Sequence, residues 1–436
     1  MPRKLTVISS LVLLLAVFVV GGSTCPTMTP DPGNGGGTDP TAGTGPTLVL
    51  TGVDVHVQGR VACGDGIMAY TAINADRTPF GPDYIKEGDT AGRGIPGAAD
   101  YDADSFAVTG KYIAMVKPAD FSVAVFNTET LAKTEFPSTD IRLKNIPIGN
   151  YVAGHMQADG GYIATISKPS DVTDGFSIKV VDVTGATPTV HSFTNNPAND
   201  TIILASQVMV DAETNKVVAL RRDVFYVYDI MNPTTAPVEF DLSGMGGVDD
   251  GPQYAFDNGV IIYHDDTSDR KVYTLDCTSA SNTPTALNGE GSTGANARFA
   301  IRDGSYAYYF AGPASQGNAC ASGTLPNTTP VVGSGDTIAS NSTNLGRFSY
   351  GDTLAIGFLN GTLTWFIAAQ DNIGVNDPIQ YSTDGAAWNL VPDPADPTNN
   401  FSAGDVATNE AGNCLVFKYE VNDEQKLGYS RITTSN

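Results

Sequence analysis

The chain repeats a short pattern in which a turn containing glycine leads into an apolar strand, and a polar turn then leads into a second strand. The clearest copy spans residues 109–116 and 121–126. Eight copies align on the first apolar residue after the turn, at intervals of 43 to 61 residues. The aligned residues are Ile67, Tyr112, Tyr162, Val217, Val260, Tyr306, Leu354 and Leu415. Repeats of about 40 to 50 residues with several strands each are typical of β-propeller blades.

Short runs of valine, isoleucine, tyrosine and phenylalanine alternate with turns rich in glycine, proline, threonine, asparagine and aspartate. This punctuation predicts many short strands, and no long window after the N-terminus has the spacing of an amphipathic helix. We therefore predict an all-β fold. The copy number favours an eight-bladed propeller, and a seven-bladed propeller is the alternative because the first and sixth copies are weak.

The two ends of the repeat region are expected to meet. The last copy ends the chain about two strands after its turn, whereas a blade usually contains four strands. Residues 47–51 and 53–57 have the composition of strands and precede the first copy. We predict that this segment supplies outer strand material to the last blade and closes the ring, which removes exposed sheet edges. The copy at 109–126 would then be the inner half of a blade, with Ala114 where blades crowd.

The N-terminus has the pattern of an export signal followed by a tether. Arg3 and Lys4 precede an apolar run over residues 5–20, which predicts a signal peptide in residues 1–24. Cys25 follows small residues and resembles the lipidated cysteine of the bacterial lipoprotein lipobox, although Gly22 stands where that family prefers leucine. Residues 25–46 are almost free of apolar side chains and predict a flexible linker, and 47–436 is the predicted propeller. The alternative to lipidation is ordinary signal cleavage and release.

The charge of the chain excludes some partners. Lysine and arginine total 24 against 47 aspartates and glutamates, which gives a net charge of -23. Such a surface repels phosphate backbones, so we expect no nucleic-acid partner. It also disfavours docking on anionic membranes, so membrane contact is expected only through the lipid anchor. We expect a monomer.

Two passages, residues 180–189 and 227–238, resemble the propeller repeats of bacterial surface proteins of the LVIVD and TolB-like kind. In each, a strand ends in an aspartate (Asp182 and Asp229) and a turn containing proline follows. The aspartate of such a turn can accept hydrogen bonds from turn amides. The resemblance implies the fold and protein interaction, and it carries over no catalytic residue.

Residues 381–388 resemble the Asp-box of sialidase-type propellers in its shorter form. In that family the aspartate and glycine, here Asp384 and Gly385, shape a hairpin turn, and the tryptophan, here Trp388, packs beneath it. The motif is a fold element. The chain has one copy and no partner motif for a sialidase site.

Four cysteines follow Cys25, and export makes disulfides feasible. Cys63 and Cys414 lie near the turns of the first and last copies, which are neighbours in a closed ring. Cys277 and Cys320 follow the second strands of adjacent copies. We therefore predict 63–414 and 277–320 disulfides, with buried thiols as the alternative. No two cysteines are close enough in sequence to indicate zinc.

Histidines and acidic clusters are the remaining candidates for chemistry. His56, His155, His191 and His264 lack the spacing of a metal motif, and structural roles are expected for them. Acidic loop clusters could bind calcium through oxygen ligands, although none has a complete calcium-loop pattern. These clusters are Asp102 with Asp104, Asp249 with Asp250, and Asp265 with Asp266 and Asp269.

The function expected from the sequence is a non-catalytic module that binds a protein or carbohydrate ligand at the bacterial cell envelope, either lipid-anchored or secreted. The alternative is an extracellular polysaccharide hydrolase or lyase with carboxylates in the central funnel. A cluster of carboxylates with an arginine or histidine at one mouth of the channel would favour the enzyme, and a channel lined by small apolar residues would favour the binding module. Because the recurring residues hold the ring together, ligand contacts are expected in segments that do not recur: the loop after Tyr70, the region around Asp249, and residues 312–345.

Overall fold

A computed structural model describes most of the repeat region in separate ranges. These are residues 50–53, 57–73, 79–103, 105–141, 156–167, 177–193, 205–221, 223–247, 254–265, 271–287, 298–311, 318–332, 353–359, 362–368, 380–383, 389–390, 403–408, 414–421 and 424–431. Within these ranges no helix is long and apolar enough to span a membrane.

The described residues form eight antiparallel sheets, in which strands adjacent in sequence pair with each other. Sheet 1 contains β2 (Val57–Gly64), β3 (Ile67–Ile73) and β4 (Pro79–Lys86). Sheet 2 contains β5 (Phe106–Thr109), β6 (Tyr112–Lys117), β7 (Ser122–Asn127) and β8 (Lys133–Phe136). Sheet 3 contains β9 (Met156–Asp159), β10 (Tyr162–Ser167), β11 (Ser177–Asp182) and β12 (Thr189–Ser192). Sheet 4 contains β13 (Ala205–Asp211), β14 (Lys216–Arg221), β15 (Val224–Asp229) and β16 (Val238–Asp241).

The second half of the chain repeats this order. Sheet 5 contains β17 (Tyr254–Asp257), β18 (Val260–His264), β19 (Val272–Asp276) and β20 (Thr285–Ala286). Sheet 6 contains β21 (Arg298–Arg302), β22 (Ser305–Ala311), β23 (Asn318–Thr324) and β24 (Val331–Val332). Sheet 7 contains β25 (Thr353–Leu359), β26 (Thr362–Ala368), β27 (Gln380–Ser382) and β28 (Asn389–Leu390). Sheet 8 contains β29 (Ala403–Thr408), β30 (Cys414–Val421), β31 (Glu424–Arg431) and β1 (Leu50–Val53). Single 3₁₀ turns lie at Ala98–Asp100 and Ser243–Met245.

The sheets pack face to face, and the core lies between them. The first strand of each sheet contacts the first strand of the next, from β2 through β29, and β29 also contacts β2. Among the described residues, separate apolar clusters lie between sheets 8 and 1 and between successive sheets from 1 to 6; the one between sheets 2 and 3, for example, joins Ala114 to Ile163 and Val181. Antiparallel sheets of mostly four strands that are stacked in this way are typical of a β-propeller, which confirms that the fold is all-β and propeller-like.

The pattern at 109–126 forms the middle of a sheet, so its prediction as the inner half of a blade is wrong. Its two strands are β6 and β7, and β5 precedes them as the first strand. β5 is the strand that contacts the first strands of sheets 1 and 3. Its four residues are difficult to recognise in the sequence because a two-residue turn at Gly110 joins them directly to β6.

The seventh aligned residue is also displaced by one strand. Leu354 lies on β25, which is the first strand of sheet 7. The other seven aligned residues lie on the second strands of their sheets, and for Leu415 this second strand is β30. The residue equivalent to them is Leu363 on β26. The misalignment arises because β25, Thr353–Leu359, is as apolar as the second strands of the other sheets.

Two segments that the sequence presents as loops contain strands. β4 carries Pro79 and Pro82, yet it pairs with β3 along its whole length. Among the described strands it lies at the edge of sheet 1, where proline is tolerated because an edge strand leaves one row of amides unpaired. β23 consists mainly of small residues, so it has little apolar signal, and it pairs with β22 from Asn318 to Thr324.

The N-terminal segment adds a strand to the last sheet, as predicted. β1 pairs antiparallel with β31, with Leu50 opposite Ser430 and Val53 opposite Leu427. The boundary differs from the prediction, because Val57 already belongs to β2 and therefore to sheet 1.

Candidate functional site

One hydrogen bond recurs at the junctions between consecutive sheets. In sheets 2 to 5, the last residue of the first strand accepts a hydrogen bond from a backbone amide in the first turn of the next sheet. The pairs are Gly161 N to Thr109 Oγ1 at 2.7 Å, Ala212 N to Asp159 Oδ2 at 2.7 Å, Gly259 N to Asp211 Oδ2 at 2.8 Å, and Asp303 N to Asp257 Oδ2 at 2.7 Å. We call these four contacts the clasps.

The clasps arise because each first strand ends beside the next sheet. The residue in the last position of the strand therefore reaches the neighbouring turn, whose amides are not used in strand pairing. At the junction between sheets 1 and 2 the direction is reversed and both groups are backbone: the Asp65 amide of sheet 1 donates to the Gly110 carbonyl oxygen of sheet 2 at 3.1 Å. At the end of β21 the same position is Arg302.

The clasps bring several acidic groups together around this arginine. We call the group the acidic turn cluster, and its members are Asp159, Asp211, Glu213, Asp257, Arg302 and Asp303. Electrostatic interactions within the cluster link Arg302 to the carboxylates of sheets 3, 4 and 5. The negative charges exceed the positive ones, so the carboxylates repel one another.

Asp257 shows the largest consequence of this crowding. Burial raises the pKa of its carboxyl group to about 7. The Asp303 amide and Arg302 oppose this shift, and repulsion from the carboxylates of Asp211 and Asp303 adds to it. At neutral pH a substantial fraction of Asp257 therefore carries a proton.

The other acids of the cluster divide into two kinds. Burial raises the pKa of Asp159, and repulsion from Asp211 is a further cause. Glu213 is largely exposed, and its pKa is raised by partial desolvation and then by repulsion from Asp303, Asp211 and Asp159. Asp211 is 2% exposed. Its Oδ1 accepts from the Glu213 amide, and its Oδ2 accepts from the Gly259 amide and the Thr214 hydroxyl. Both oxygens of Asp211 are therefore occupied by the fold.

A second set of aspartates caps the ends of third strands by accepting hydrogen bonds from turn amides. Asp182 ends β11 and accepts a hydrogen bond of 2.8 Å from the Thr184 amide, and Asp229 ends β15 and accepts one of 2.9 Å from the Met231 amide. Asp276 does the same for the Thr278 amide at the end of β19. These residues fix turns and are structural.

The predicted disulfides are absent, because neither Cys63 nor Cys277 is part of a disulfide. Cys277 is buried against sheet 4, and its Sγ lies 3.7 Å from the Leu275 carbonyl oxygen. Cys320 lies on β23 in sheet 6, on the other side of sheet 5, which explains why it is not the partner of Cys277. Cys63 is buried in the apolar cluster that sheet 1 shares with Val416 of sheet 8. Cys414 lies on β30, opposite Arg431.

Two of the histidines lie in the described part of the chain. His264, the last residue of β18, is completely buried, with its Nδ1 2.9 Å from the Asp265 carbonyl oxygen and its ring against Phe299. His191 lies on β12, with its Nε2 3.5 Å from Asp182 Oδ2. Both positions are structural, as expected. His56 and His155 fall outside the described residues, as does Cys25.

The acidic loop clusters chosen from the sequence have local roles where they are described. Asp102 Oδ1 accepts a hydrogen bond of 2.7 Å from the Ser105 hydroxyl. Asp265 Oδ1 accepts one of 3.0 Å from the Lys271 amide and so closes the connection between β18 and β19. Across the described ranges, no three histidine, cysteine, aspartate or glutamate side chains are arranged to hold a metal ion. The remaining members lie outside those ranges: Asp104, Asp249, Asp250, Asp266, Asp269, and Asp384 and Trp388 of the Asp-box.

Sequence reasoning missed the acidic turn cluster, although a signal for most of it is present. Thr109, Asp159, Asp257 and Arg302 each stand three residues before a second strand. The insertion of two residues in the turn after Asp211 breaks this spacing. The sequence does not reveal that the next sheet supplies the hydrogen-bond donor.

Comparison with known proteins identifies no relative by sequence: no family model and no curated protein matches the chain. Solved structures match at low similarity. The β-propeller domain of the Trilobed protease from Pyrococcus furiosus has a TM-score of 0.43 and 8% identity, over 88% of this chain and 98% of that one. Dihydro-heme d1 dehydrogenase NirN has a TM-score of 0.47 and 12% identity, and the match covers 90% of this chain and 74% of that one. The β-propeller domain of Myceliophteria thermophila Cps50 (Swd1) has a TM-score of 0.42 and 8% identity, and the match covers 87% of this chain and 99% of that one.

Proposed function

We propose that the protein is an exported propeller of eight blades that binds a protein or glycan ligand at the bacterial cell envelope without transforming it. In this proposal β1 closes the ring, Cys25 carries the lipid anchor, and residues 26–46 form the tether. The eight described sheets and the pairing of β1 with β31 support the architecture. The basic and apolar N-terminus supports export.

Binding is favoured over catalysis because carboxylates of the acidic turn cluster already accept hydrogen bonds within the fold. Asp159, Asp211 and Asp257 each accept a backbone amide from the neighbouring sheet. A carboxylate that acts as acid, base or nucleophile has to reach the substrate. These three are engaged in holding sheets together, so the ligand is expected to bind the connecting segments that do not recur, which include residues 248–253, 312–317 and 333–352.

The anchor is tested by mass spectrometry of the mature N-terminus after expression in a bacterial host. We expect the first residue to be Cys25 with attached acyl chains, and we expect the protein in the membrane fraction. The matched Cys25→Ala variant should be exported but recovered in the soluble fraction. An unmodified N-terminus at another residue would refute the anchor.

The binding function is tested with the purified Cys25→Ala chain and a panel of purified envelope polysaccharides and proteins. We expect saturable binding to one member without chemical change in that ligand. Replacement of residues 333–352 by a Gly-Ser linker of equal length should weaken binding and leave the unfolding midpoint unchanged. Release of new reducing ends or unsaturated sugars from a polysaccharide would contradict the proposal.

The second candidate is a polysaccharide hydrolase or lyase, and one observation favours it. Asp257 retains a proton near neutral pH, as a general acid must, and Arg302 lies close enough to affect its pKa. For this candidate, Asp257→Asn and Glu213→Gln should each lower turnover at least 100-fold, while Asp276→Asn should not. Equal activity in all three variants would exclude the acidic turn cluster from catalysis.

A further inference from the structure

The clasp between sheets 5 and 6 differs from the others in its surroundings. Asp257 ends β17 and accepts the Asp303 amide at 2.7 Å. The donor residue itself carries a carboxylate, and it has a positive φ of 47°. The next sheet therefore supplies the hydrogen-bond donor and a negative charge from the same residue.

Charged groups face this clasp from both neighbouring sheets. Asp211 contributes a carboxylate from the end of β13, and Arg302 and Asp303 contribute one charge of each sign from the end of β21 and its turn. Glu213 and Asp159 extend the negative charge beyond Asp211. When Asp257 is ionised, it repels the carboxylates of Asp211 and Asp303 and attracts the guanidinium of Arg302, and when it is protonated, these charge interactions are lost.

We propose that this clasp is a pH-responsive joint, which holds sheets 5 and 6 together in mildly acidic solution and loosens towards neutral pH as Asp257 ionises. A protonated carboxyl group still accepts the Asp303 amide through its carbonyl oxygen. Ionisation preserves the acceptor, but it places a charge at a buried site and adds repulsion from Asp211 and Asp303, and together these effects outweigh the stronger hydrogen bond and the attraction of Arg302. The change acts between two sheets, so it alters how often the joint opens.

The direction of this pH dependence follows from the difference between the pKa of Asp257 in the closed joint and its pKa in the opened joint. Burial raises the pKa of Asp257 to about 7 in the closed joint. An opened, hydrated joint has an aspartate pKa of about 4, so the closed joint binds the proton more tightly. The closed state is therefore favoured most at acidic pH and loses stability as the pH rises to about 7, above which the effect levels off.

The experiment is hydrogen exchange of the full chain, followed by mass spectrometry of peptides that contain the Asp303 amide. After correction for the intrinsic exchange rate, protection should fall more than tenfold between pH 5 and pH 8. In Asp257→Asn, the amide oxygen keeps the acceptor without the charge, so protection should stay high and independent of pH. Asp276→Asn, at an exposed turn of the same sheet, should behave like the unmodified chain.

A constant protection in the unmodified chain, or the same pH dependence in Asp257→Asn, would overturn the proposal. If Asp257→Asn does not fold, Asp303→Asn gives the decisive result. Asparagine accepts positive φ well, so this variant keeps the turn and removes one repelling carboxylate. The loss of protection should then level off at a lower pH, and an unchanged profile would reject the joint.

Discussion

The carboxylate of Asp211 connects two sheets by accepting the backbone amide of Gly259 at 2.8 Å. The aspartate is 2% exposed and Gly259 is buried as well, so water cannot readily replace Asp211 as the acceptor for this amide. A buried donor that loses its acceptor destabilises a fold by more than an ordinary hydrogen bond contributes. The contact therefore has a measurable effect on stability.

Replacement of this acceptor should weaken the fold. We expect Asp211→Ala to lower the free energy of unfolding by about 2–4 kcal/mol, because it leaves the Gly259 amide and its own turn without an acceptor. Urea denaturation followed by tyrosine fluorescence measures this difference. The control is Asp276→Ala, which removes a cap at an exposed turn and should lower it by about 1 kcal/mol or less. Equal losses of unfolding free energy in the two variants would show that the clasp at Asp211 contributes no more to stability than the cap of an exposed turn.

The pH dependence of global stability should also reflect Asp257. Its folded-state pKa of about 7 lies above that of an unfolded aspartate, so its ionisation destabilises the fold increasingly as pH rises to about 7. We expect Asp257→Asn to raise the free energy of unfolding at pH 7.5 by about 1–3 kcal/mol, and by less than about 1 kcal/mol at pH 4.5. Denaturation of both proteins at the two pH values provides the comparison. A variant that is less stable at pH 7.5 would contradict this expectation.

The thiol of Cys277 should be unreactive in the folded chain. Burial raises its pKa to about 12, so almost no thiolate forms at pH 8. We expect alkylation by iodoacetamide to be at least about 100-fold slower in the native chain than in urea, in both cases without reductant. Peptide mapping of the alkylated cysteine checks this. Recovery of Cys277 in a disulfide-linked peptide would contradict this expectation.

The close approach of sheets 1 and 2 should make Gly64 sensitive to substitution. A Cβ atom at Gly64 would lie 2.4 Å from the Gly110 carbonyl oxygen, which is backbone and cannot rotate away. We expect Gly64→Ala to lower the free energy of unfolding by about 2 kcal/mol or more. Gly185→Ala is the matched control, since the nearest atom to its added Cβ is 3.8 Å away. If both variants unfold at the same urea concentration, the sheets must be able to move apart.

The sequence predicts the all-β fold because the central strands of each sheet are long and apolar. β6 and β7 are examples, with five buried residues each. It does not predict three strands whose local signals are weaker: β5 is short, β4 contains proline, and β23 is made of small residues. These segments have a weak intrinsic preference for strand structure, and pairing with neighbouring strands in the same sheet stabilises them as strands.

The candidate site is less accessible to sequence analysis than the fold. The role of Asp211 depends on Gly259, which belongs to another sheet, and no local pattern records which sheets are neighbours. The cysteines illustrate the same limit: Cys277 and Cys320 lie on adjacent sheets, but the side chain of Cys277 faces away towards sheet 4. Position along a repeat predicts the sheet to which a residue belongs, and it leaves open the side to which its side chain points.

The pairing of β1 with β31 has a consequence for biosynthesis. β1 precedes every other described strand, and its partner β31 follows all of them, so sheet 8 cannot assemble before residues 424–431 have been synthesised. The residues of the other seven sheets are all made during this interval. The order of synthesis thus leaves β1 without its partner until the strands of every other described sheet are available to fold.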